Sequence, residues 1–273
     1  MTTKSTQGVI RKINPTWEFP DFTLDEFARK NNKYCVCVFV INEGDRIQKQ
    51  LESMKNYANS IDIVVADGGS TDGSLEPDFL KSQKVRALLT KKAKGKLSAQ
   101  MRMAFAWALS EDYEGVVVVD GNGKDDISAI PAFMKLLDEG YDHIQGSRFV
   151  PGGKAVNTPL SRELGLHLLH APLISLAARK RHTDTTNGFR AYSAKLLRDQ
   201  DIAIFRDVFQ TYELHYYLAI ESSRRKQYKV VETPVTRTYP KAGKTPTKIS
   251  PIKGNAHILT VLFKAVAGKY KKH

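Results

Sequence analysis

A short acidic turn follows the four consecutive valines at 116–119 and reads Asp120-Gly-Asn-Gly-Lys-Asp-Asp126. A β-branched run of this length is typical of a strand buried on both faces of a parallel sheet. The turn then lies at the carboxyl edge of the sheet, which is the usual ligand side of an open α/β fold. It is a candidate metal and phosphate site. The alternative is a solvated turn that caps the next helix.

A glycine-rich loop, Asp67-Gly-Gly-Ser-Thr-Asp-Gly, follows a second apolar run. Its glycines let the backbone turn tightly and approach a ligand closely. Ser70 and Asp72 can bind ribose hydroxyls and a base edge, or they can cap a helix. The two commonest nucleotide-binding signatures, GxGxxG and GxxxxGK[ST], are absent from the sequence.

Four predicted strands position these loops, and helical patterns alternate with them. The strands are Tyr34–Ile41, Ile61–Ala66, Val85–Leu89 and Val116–Val119. This alternation predicts βαβ units and a mostly parallel sheet flanked by helices, an α/β fold. All four loops that follow the strands then line one crevice at a shared edge.

The rest of the chain shows a less regular pattern. We expect a short helix at Thr23–Lys30 and aromatic side chains of the first 32 residues packed on the main domain. Cys35 and Cys37 alternate within one strand and are expected to be core cysteines. Further predicted elements are a strand at His143–Phe149, a helix at Leu160–Arg179 kinked at Pro172, a helix at Thr211–Glu221, a strand at Lys229–Thr238 and an amphipathic segment at His257–Tyr270.

The composition is that of a globular protein with a cationic surface. The chain has 273 residues, 41% of them hydrophobic, and a formal net charge of +13. This excess of positive charge indicates anionic partners, such as phosphorylated substrates, nucleic acid or an acidic membrane surface. No apolar run reaches the ~20 residues of a membrane span, and the polar N-terminus lacks the apolar core of a signal peptide. We therefore expect a cytoplasmic protein.

The order of several motifs resembles that of family 2 glycosyltransferases with the GT-A, Rossmann-like fold. The first motifs are Asn42-Glu43, the 67–73 loop and Val-Asp120-Gly-Asn122. Downstream, Gly146-Ser-Arg-Phe-Val-Pro-Gly-Gly153, Arg162, Thr183-Asp-Thr-Thr-Asn-Gly-Phe-Arg-Ala-Tyr192 and Val235-Thr-Arg-Thr-Tyr239 resemble the dolichyl-phosphate mannose synthase and polyprenyl-phosphate glycosyltransferase branch. The similarity extends from about Tyr34 to about Ile258.

The resemblance implies a donor site for a UDP- or GDP-linked sugar. Its implied contacts are Asn42, Glu43, Asp67, Gly69, Ser70, Asp72 and Gly121. Asp120 and Asn122 are the implied ligands of Mg²⁺ or Mn²⁺, which neutralises the leaving diphosphate. Asn122 replaces the second aspartate of the family's Asp-x-Asp motif and brings no charge. Metal dependence is therefore open, and Asp125, Asp126 or Lys124 are candidates for compensation.

The resemblance also implies an acceptor site for a polyprenyl phosphate. A phosphate monoester is mostly ionised near neutral pH, so it attacks without a general base. Cations must then hold two anionic substrates together, and arginine can bind phosphate through two hydrogen bonds. Arg148 and Arg237 are the candidate catalytic cations. Arg162, Lys244 and Lys248 are the candidate contacts of the acceptor phosphate.

Alternatives remain in the sequence. A hydroxyl acceptor, on a cell-surface glycan or a lipid-linked sugar, needs a carboxylate base, and Asp184 is the candidate. A basic nucleic-acid-binding protein or a non-catalytic nucleotide-sugar-binding protein is the alternative from another class, although no nucleic acid is expected. The oligomeric state is not predicted.

The expected domain organisation has three parts. They are an N-terminal extension at 1–32, a GT-A domain at 33–256 and an amphipathic basic segment at 257–273. The last segment either packs on the core or lies peripherally on the anionic inner face of a membrane.

Overall fold

A computed structural model describes residues 4–5, 14–241, 250 and 253–272 of the chain. The strands are β1 Lys4–Ser5, β2 Phe22–Glu26, β3 Tyr34–Val40, β4 Asp62–Asp67, β5 Val85–Lys91, β6 Gly115–Asp120, β7 His143–Ser147, β8 Lys154–Val156, β9 Arg190–Ser193, β10 Val230–Pro234 and β11 Thr236–Thr238. The helices are α1 Asp45–Met54, α2 Pro77–Ser82, α3 Leu97–Ser110, α4 Ile130–Asp138, α5 Leu160–Gly165, α6 Ala171–Ala178, α7 Ala194–Leu197, α8 Glu213–Arg224 and α9 Lys253–Val266.

The main sheet of the described residues has nine strands in the order β1-β2-β5-β4-β3-β6-β9-β7-β10. Strands β5, β4, β3 and β6 are mutually parallel. Strand β9 runs antiparallel between β6 and β7, and β10 is parallel to β7. The mostly parallel α/β sheet expected from the alternating pattern is therefore confirmed.

The valines of β6 show why the centre of the sheet must be apolar on both faces. Val116 and Val118 belong to one buried cluster, which also contains the side chains of α3 and α8. Val117 and Val119 belong to a second cluster with α1 and α4 on the other face. All four are fully buried, and full burial of each such side chain contributes roughly 1.5–3 kcal/mol.

The short helix expected at Thr23–Lys30 is wrong. Residues 22–26 form strand β2 instead, which pairs antiparallel with β5. Phe22 and Leu24 alternate with more exposed residues, and both are 1% exposed within the core. The strand depends on an edge partner more than sixty residues away in sequence, which a local pattern does not reveal.

The expectations for the N-terminal aromatic side chains and for the cysteines agree with the structure. Trp17 and Phe19 pack against the core cluster, and Trp17 stacks on Phe205 with 4.0 Å between ring centroids. Cys35 and Cys37 are free and buried. Helix α9 buries one face against the core and contacts α8.

The helix predicted at Leu160–Arg179 is present as α5, a π turn at Leu166–His170, and α6. Pro172 lies in the first turn of α6, directly after the π turn. Proline has no backbone N–H to donate, and it is tolerated in the first turn of a helix, where that donor is not required. No helix in the described ranges is long and apolar enough to cross a membrane.

Three histidines are buried near Arg190: His143, His182 and His215. Burial lowers the pKa of each, and the Arg190 guanidinium lowers it further; the pKa of His182 falls to about 4. Because an unfolded histidine titrates near 6.5, the unfolded chain binds protons at a pH where the folded chain does not. The folded chain therefore has its full stability above about pH 6.5, where the histidines are neutral in both states. The free energy of unfolding decreases as the pH falls from there toward 4.

We expect the free energy of unfolding to fall by about 1–2 kcal/mol per buried histidine between pH 6.5 and pH 5. Urea unfolding at a series of pH values measures this slope. In the His182→Gln variant, the free energy of unfolding should depend less steeply on pH, because one proton fewer is taken up on unfolding. An identical slope in the variant and the parent chain would show that His182 is not held neutral in the folded state.

Candidate active site

The loops that follow β3, β4 and β6 meet at the carboxyl edge of the sheet. The register of β3 aligns Val40 with Asp67 of β4 and Phe39 with Asp120 of β6. The two carboxylates therefore flank the end of the central strand. The carboxyl ends of β3, β4 and β6 therefore lie at one edge of the sheet, as the order of strands and loops predicted.

The loop after β4 is bound to the loop after β3 through polar side chains. Asp67 accepts hydrogen bonds from the Ser70 backbone N–H and from its hydroxyl, at 2.6–3.0 Å. The Ser70 hydroxyl in turn accepts from the backbone of Asn42, whose side chain accepts from Thr71 at 2.7 Å. Gly69 has a φ of 99°, a backbone conformation that favours glycine. The two loops thus form one polar wall.

The remaining predicted donor-side residues lie in or beside this wall. Asp72 accepts from the backbone N–H of Gly44 at 2.9 Å. Glu43 forms an ion pair with Arg46 at 2.7 Å. Gly121 is packed so closely that a Cβ there would lie 3.1 Å from the Phe39 carbonyl oxygen. Its role is therefore to let the β6 loop lie against the β3 loop.

Two buried glutamines that the sequence analysis did not identify fix these loops. The Gln50 amide donates to the Asp120 carbonyl at 3.0 Å and accepts from the Gly123 N–H at 2.9 Å. The Gln100 amide donates to the carbonyls of Val40 and Ala66 at 3.0 and 3.1 Å. Gln50 lies on the face of α1 that also buries Ile47, Leu51 and Met54. A polar residue on such an apolar face is the signal that could have revealed it.

Asp120 lies at the centre of the site. Its Oδ2 accepts from the Arg237 guanidinium at 3.1 Å and from the Asn122 amide at 3.3 Å. A Cβ at position 188 would lie 3.0 Å from Oδ1, so Gly188 leaves room for the carboxylate. Burial and the Asp120 carboxylate raise the pKa of the Tyr212 hydroxyl.

Arg237 is held between two carboxylates. Its other guanidinium nitrogen forms an ion pair with Asp125, whose side chain is fully buried. Burial alone would lower the pKa of Arg237, but Asp125 and Asp120 raise it, so the guanidinium stays charged. Strand β11, which carries Arg237, is also bound to the acidic turn through backbone hydrogen bonds of Lys124 and Asp126. Asp126 caps the following 3-10 turn by accepting from Ser128.

Arg148 and Asp184 form a second buried ion pair. Two nitrogens of the Arg148 guanidinium donate to the two oxygens of Asp184, at 2.7 and 2.9 Å. Asp184 is 0% exposed, and it also accepts backbone hydrogen bonds from Arg148 and Asn187. In this arrangement its oxygens are already occupied, and none faces solvent.

Four cations surround the buried ring of Tyr239. The Lys124 Nζ atom lies 5.3 Å from the ring centroid, and the guanidinium carbons of Arg162 and Arg237 lie at 5.7 and 5.9 Å. Burial would raise the pKa of the Tyr239 hydroxyl, but these cations and Arg148 lower it. The effect of these cations on the Tyr239 hydroxyl therefore outweighs the effect of its burial. We call Lys124, Arg148, Arg162 and Arg237 the cation cluster.

Lys244 and Lys248, the other two predicted acceptor contacts, lie outside the described residues. Lys124 is 7% exposed, and burial together with Arg237 lowers its pKa. From the sequence, Lys124 was a candidate only for a compensating charge beside Asn122. The structure also places it in the cation cluster.

The residues around Asp120 fit a divalent metal only as a partial ligand set. Within the described residues, no group of three or more histidine, cysteine, aspartate or glutamate side chains is arranged to hold a metal ion. Oδ1 of Asp120 accepts no hydrogen bond from the described residues. The Asn122 side chain donates its NH2 group to Asp120, and its amide oxygen accepts the Lys124 N–H at 3.3 Å, so this oxygen would have to leave that hydrogen bond to bind a metal. Such a pair suits a hard cation whose remaining ligands come from a diphosphate.

Solved structures with the same architecture identify the fold class. Glucosyl-3-phosphoglycerate synthase from Mycobacterium tuberculosis in complex with UDP superposes with a TM-score of 0.60 at 14% identity, covering 86% of this chain and 80% of that chain. A complex of the same enzyme with Mn²⁺, UDP-glucose and phosphoglyceric acid gives a TM-score of 0.61 at 14% identity, covering 86% and 79%. The fold is that of a GT-A glycosyltransferase.

The family is defined by sequence. Residues 35–202 match the family described as Glycosyl transferase family 2, and the chain belongs to that family. It is 27% identical over 202 residues to an undecaprenyl-phosphate mannosyltransferase of Micrococcus luteus, covering 71% of this chain and 79% of the relative. It is 25% identical over 215 residues to a polyprenol monophosphomannose synthase of Mycolicibacterium smegmatis, covering 77% and 79%. The chain is therefore a glycosyltransferase enzyme, as the sequence predicted.

Proposed function

We propose that the chain transfers a sugar, with inversion, from a nucleoside diphosphate to the phosphate of a polyprenyl phosphate. The observation that carries this proposal is the cation cluster beside Asp120. A site for two anionic substrates needs several cations that are held in place, and here buried carboxylates hold two of the four. Two relatives are named undecaprenyl-phosphate mannosyltransferase and polyprenol monophosphomannose synthase. These names support the same class of acceptor.

In the proposed reaction, an acceptor phosphate oxygen attacks the anomeric carbon as the bond from that carbon to the diphosphate oxygen breaks. The acceptor oxygen is already ionised, so no proton has to be removed. The cation cluster holds the acceptor phosphate and the diphosphate close together and offsets their repulsion. A divalent metal, when bound by Asp120 and Asn122, neutralises charge on the leaving diphosphate.

We assign the two buried ion pairs to positioning within this site. Asp184 orients the Arg148 guanidinium through two hydrogen bonds. Asp125 does the same for Arg237, which also contacts Asp120. A hydroxyl acceptor would instead need a general base. The burial and full occupation of Asp184 argue against that role, which favours the phosphate acceptor.

The donor-side wall of Asn42, Asp67, Ser70 and Asp72 is proposed to bind the nucleoside and its ribose. A thermal-shift screen of UDP, GDP and their sugars, each with and without Mg²⁺ or Mn²⁺, identifies the base. The donor that stabilises the chain is then tested for transfer of label to a short polyprenyl phosphate. Stabilisation by no nucleotide, with no transfer, would refute the proposal.

Asn122→Asp is expected to raise the affinity for Mn²⁺ about ten-fold. The substitution restores a second carboxylate, and cation affinity rises with the charge of the ligand set. A Mn²⁺ titration followed by thermal shift, in the presence of the stabilising nucleotide, measures the affinity without relying on turnover. Asp126→Asn is the control, since Asp126 is an exposed cap. An unchanged affinity in Asn122→Asp would show that position 122 is not a ligand.

A further inference from the structure

The turn that carries Asp120 offers little negative charge to a divalent metal. Asp120 is the one carboxylate at the two positions of the Asp-x-Asp motif, because Asn122 occupies the other. The Asp120 carboxylate already accepts from the Arg237 guanidinium at 3.1 Å. The Asn122 amide oxygen accepts from the Lys124 N–H at 3.3 Å. A metal at this turn would therefore break one hydrogen bond and share its carboxylate with a cation.

Two cations of the chain lie beside that carboxylate. The charged groups of Lys124 and Arg237 are 5.3 and 5.9 Å from the centroid of the Tyr239 ring, and both interact electrostatically with Asp120. A divalent cation bound at Asp120 would be repelled by these two charges, whereas a diphosphate would be attracted by them. The turn is therefore better suited to bind a diphosphate directly than to bind it through a metal.

The backbone of Lys124 is fixed from two sides. The N–H of the preceding residue, Gly123, donates to the Gln50 side chain at 2.9 Å. The Lys124 carbonyl accepts from the Thr238 N–H of β11 at 2.8 Å. Lys124 is only 7% exposed, so its side chain has little conformational freedom left to lose when it binds an anion. Lys124 is thus held within the site and differs from a solvated surface lysine.

We propose that Lys124 binds the diphosphate of the donor directly, so that the chain binds its donor without a divalent metal. The proposal rests on the proposed function for the class of donor. The Lys124 ammonium donates to oxygens of the phosphate that carries the sugar. As the bond to the anomeric carbon breaks, its electron pair stays on the diphosphate, and the ammonium stabilises this charge without losing a proton. A metal, when bound, adds to a charge that the chain already supplies.

The test is isothermal titration calorimetry of the full chain with UDP and with GDP, each in EDTA and in Mn²⁺. The parent chain should bind one nucleotide in EDTA within about five-fold of its affinity in Mn²⁺, because cations of the chain hold the diphosphate. Lys124→Gln should bind that nucleotide about ten- to a hundred-fold more weakly in EDTA, because a charge-assisted hydrogen bond is lost. The control Lys124→Arg keeps the charge and should bind within about five-fold of the parent.

The matching nucleoside monophosphate shows where Lys124 acts. UMP or GMP lacks the phosphate that Lys124 is proposed to bind, so Lys124→Gln and the parent should bind it with similar affinity. A general disturbance of the donor site would weaken binding of the monophosphate and the diphosphate alike. Equal weakening of both would therefore overturn the role assigned to Lys124.

Two other results would overturn the proposal. One is a loss of affinity of at least about a hundred-fold in the parent when EDTA replaces Mn²⁺. The other is equal affinity of the parent and Lys124→Gln for the diphosphate in EDTA. Neither result touches the proposed function, which is tested by transfer in Mn²⁺. Conversely, binding through Lys124 in EDTA, with no transfer to polyprenyl phosphate in EDTA or in Mn²⁺, would refute the proposed function alone.

Discussion

Asp120→Asn is expected to lower the turnover number at least about a hundred-fold while the chain stays folded. Asp120 is the single carboxylate of the proposed metal pair, because its partner is Asn122. Its replacement leaves no protein charge on the metal that faces the leaving diphosphate. Its Oδ2 also faces the Arg237 guanidinium at 3.1 Å, so the substitution weakens one charge-assisted contact.

The cost to stability should be small. Arg237 keeps its buried partner Asp125 in this variant, and the Asp120 side chain is 26% exposed. One weakened hydrogen bond costs about 1 kcal/mol, which corresponds to a shift in Tm of roughly 2–4 °C. Steady-state transfer assays and thermal melts of the variant and the parent test both expectations. Full activity in Asp120→Asn would remove Asp120 from the chemistry.

Arg237→Met is expected to abolish transfer and to destabilise the chain by about 3–5 kcal/mol. Arg237 is the ion-pair partner of Asp125, whose carboxylate is fully buried. Removal of the cation leaves an unpaired buried charge, which accounts for the expected magnitude. The same change removes the cation that contacts Asp120 at the centre of the site. Urea unfolding and the transfer assay measure the two effects.

The loss of stability in Arg237→Met should depend on pH. Burial already raises the pKa of Asp125, and loss of Arg237 removes the charge that opposes this rise. A carboxyl group whose pKa is raised by folding destabilises the folded state increasingly as the pH rises. The variant should therefore lose more stability at pH 8 than at pH 5, relative to the parent.

A double variant separates the structural effect from the catalytic one. Asp125→Asn/Arg237→Met removes the unpaired charge and should recover most of the lost stability. Its transfer activity should remain as low as that of Arg237→Met, since the cation is still missing from the site. Recovery of activity together with stability would show that Arg237 acts only through the fold.

The sequence alone predicted the position of site residues that lie at the end of a strand. Asp67 and Asp120 lie at the carboxyl ends of parallel strands, and the alternation of strands and helices suffices to place them on one edge. The Asp125–Asp126 pair illustrates the limit of such reasoning. Both residues were candidates to compensate for the charge missing at Asn122, but Asp126 caps the 3-10 turn, whereas Asp125 turns inward to Arg237.

The parts of the site that the sequence did not reveal depend on tertiary contacts. Gln50 and Gln100 reach backbone carbonyls of strand ends that are 34–70 residues away. Tyr239 acquires its positive surroundings only when residues 124, 148, 162 and 237 converge. Strand β2 forms because β5 offers it an edge, although its sequence suggested a helix. Long-range pairing of this kind leaves little trace in a local pattern.

The most direct test of the proposed chemistry compares two acceptors that differ in one group. The chain, its stabilising donor and either a polyprenyl phosphate or the matching polyprenol are incubated, and labelled lipid product is measured. We expect transfer to the phosphate and at most about one-thousandth of that rate to the alcohol, because the cation cluster favours an ionised acceptor and the candidate base Asp184 is buried and paired with Arg148. Comparable transfer to the alcohol, or transfer to the alcohol alone, would contradict a phosphate acceptor held by the cation cluster.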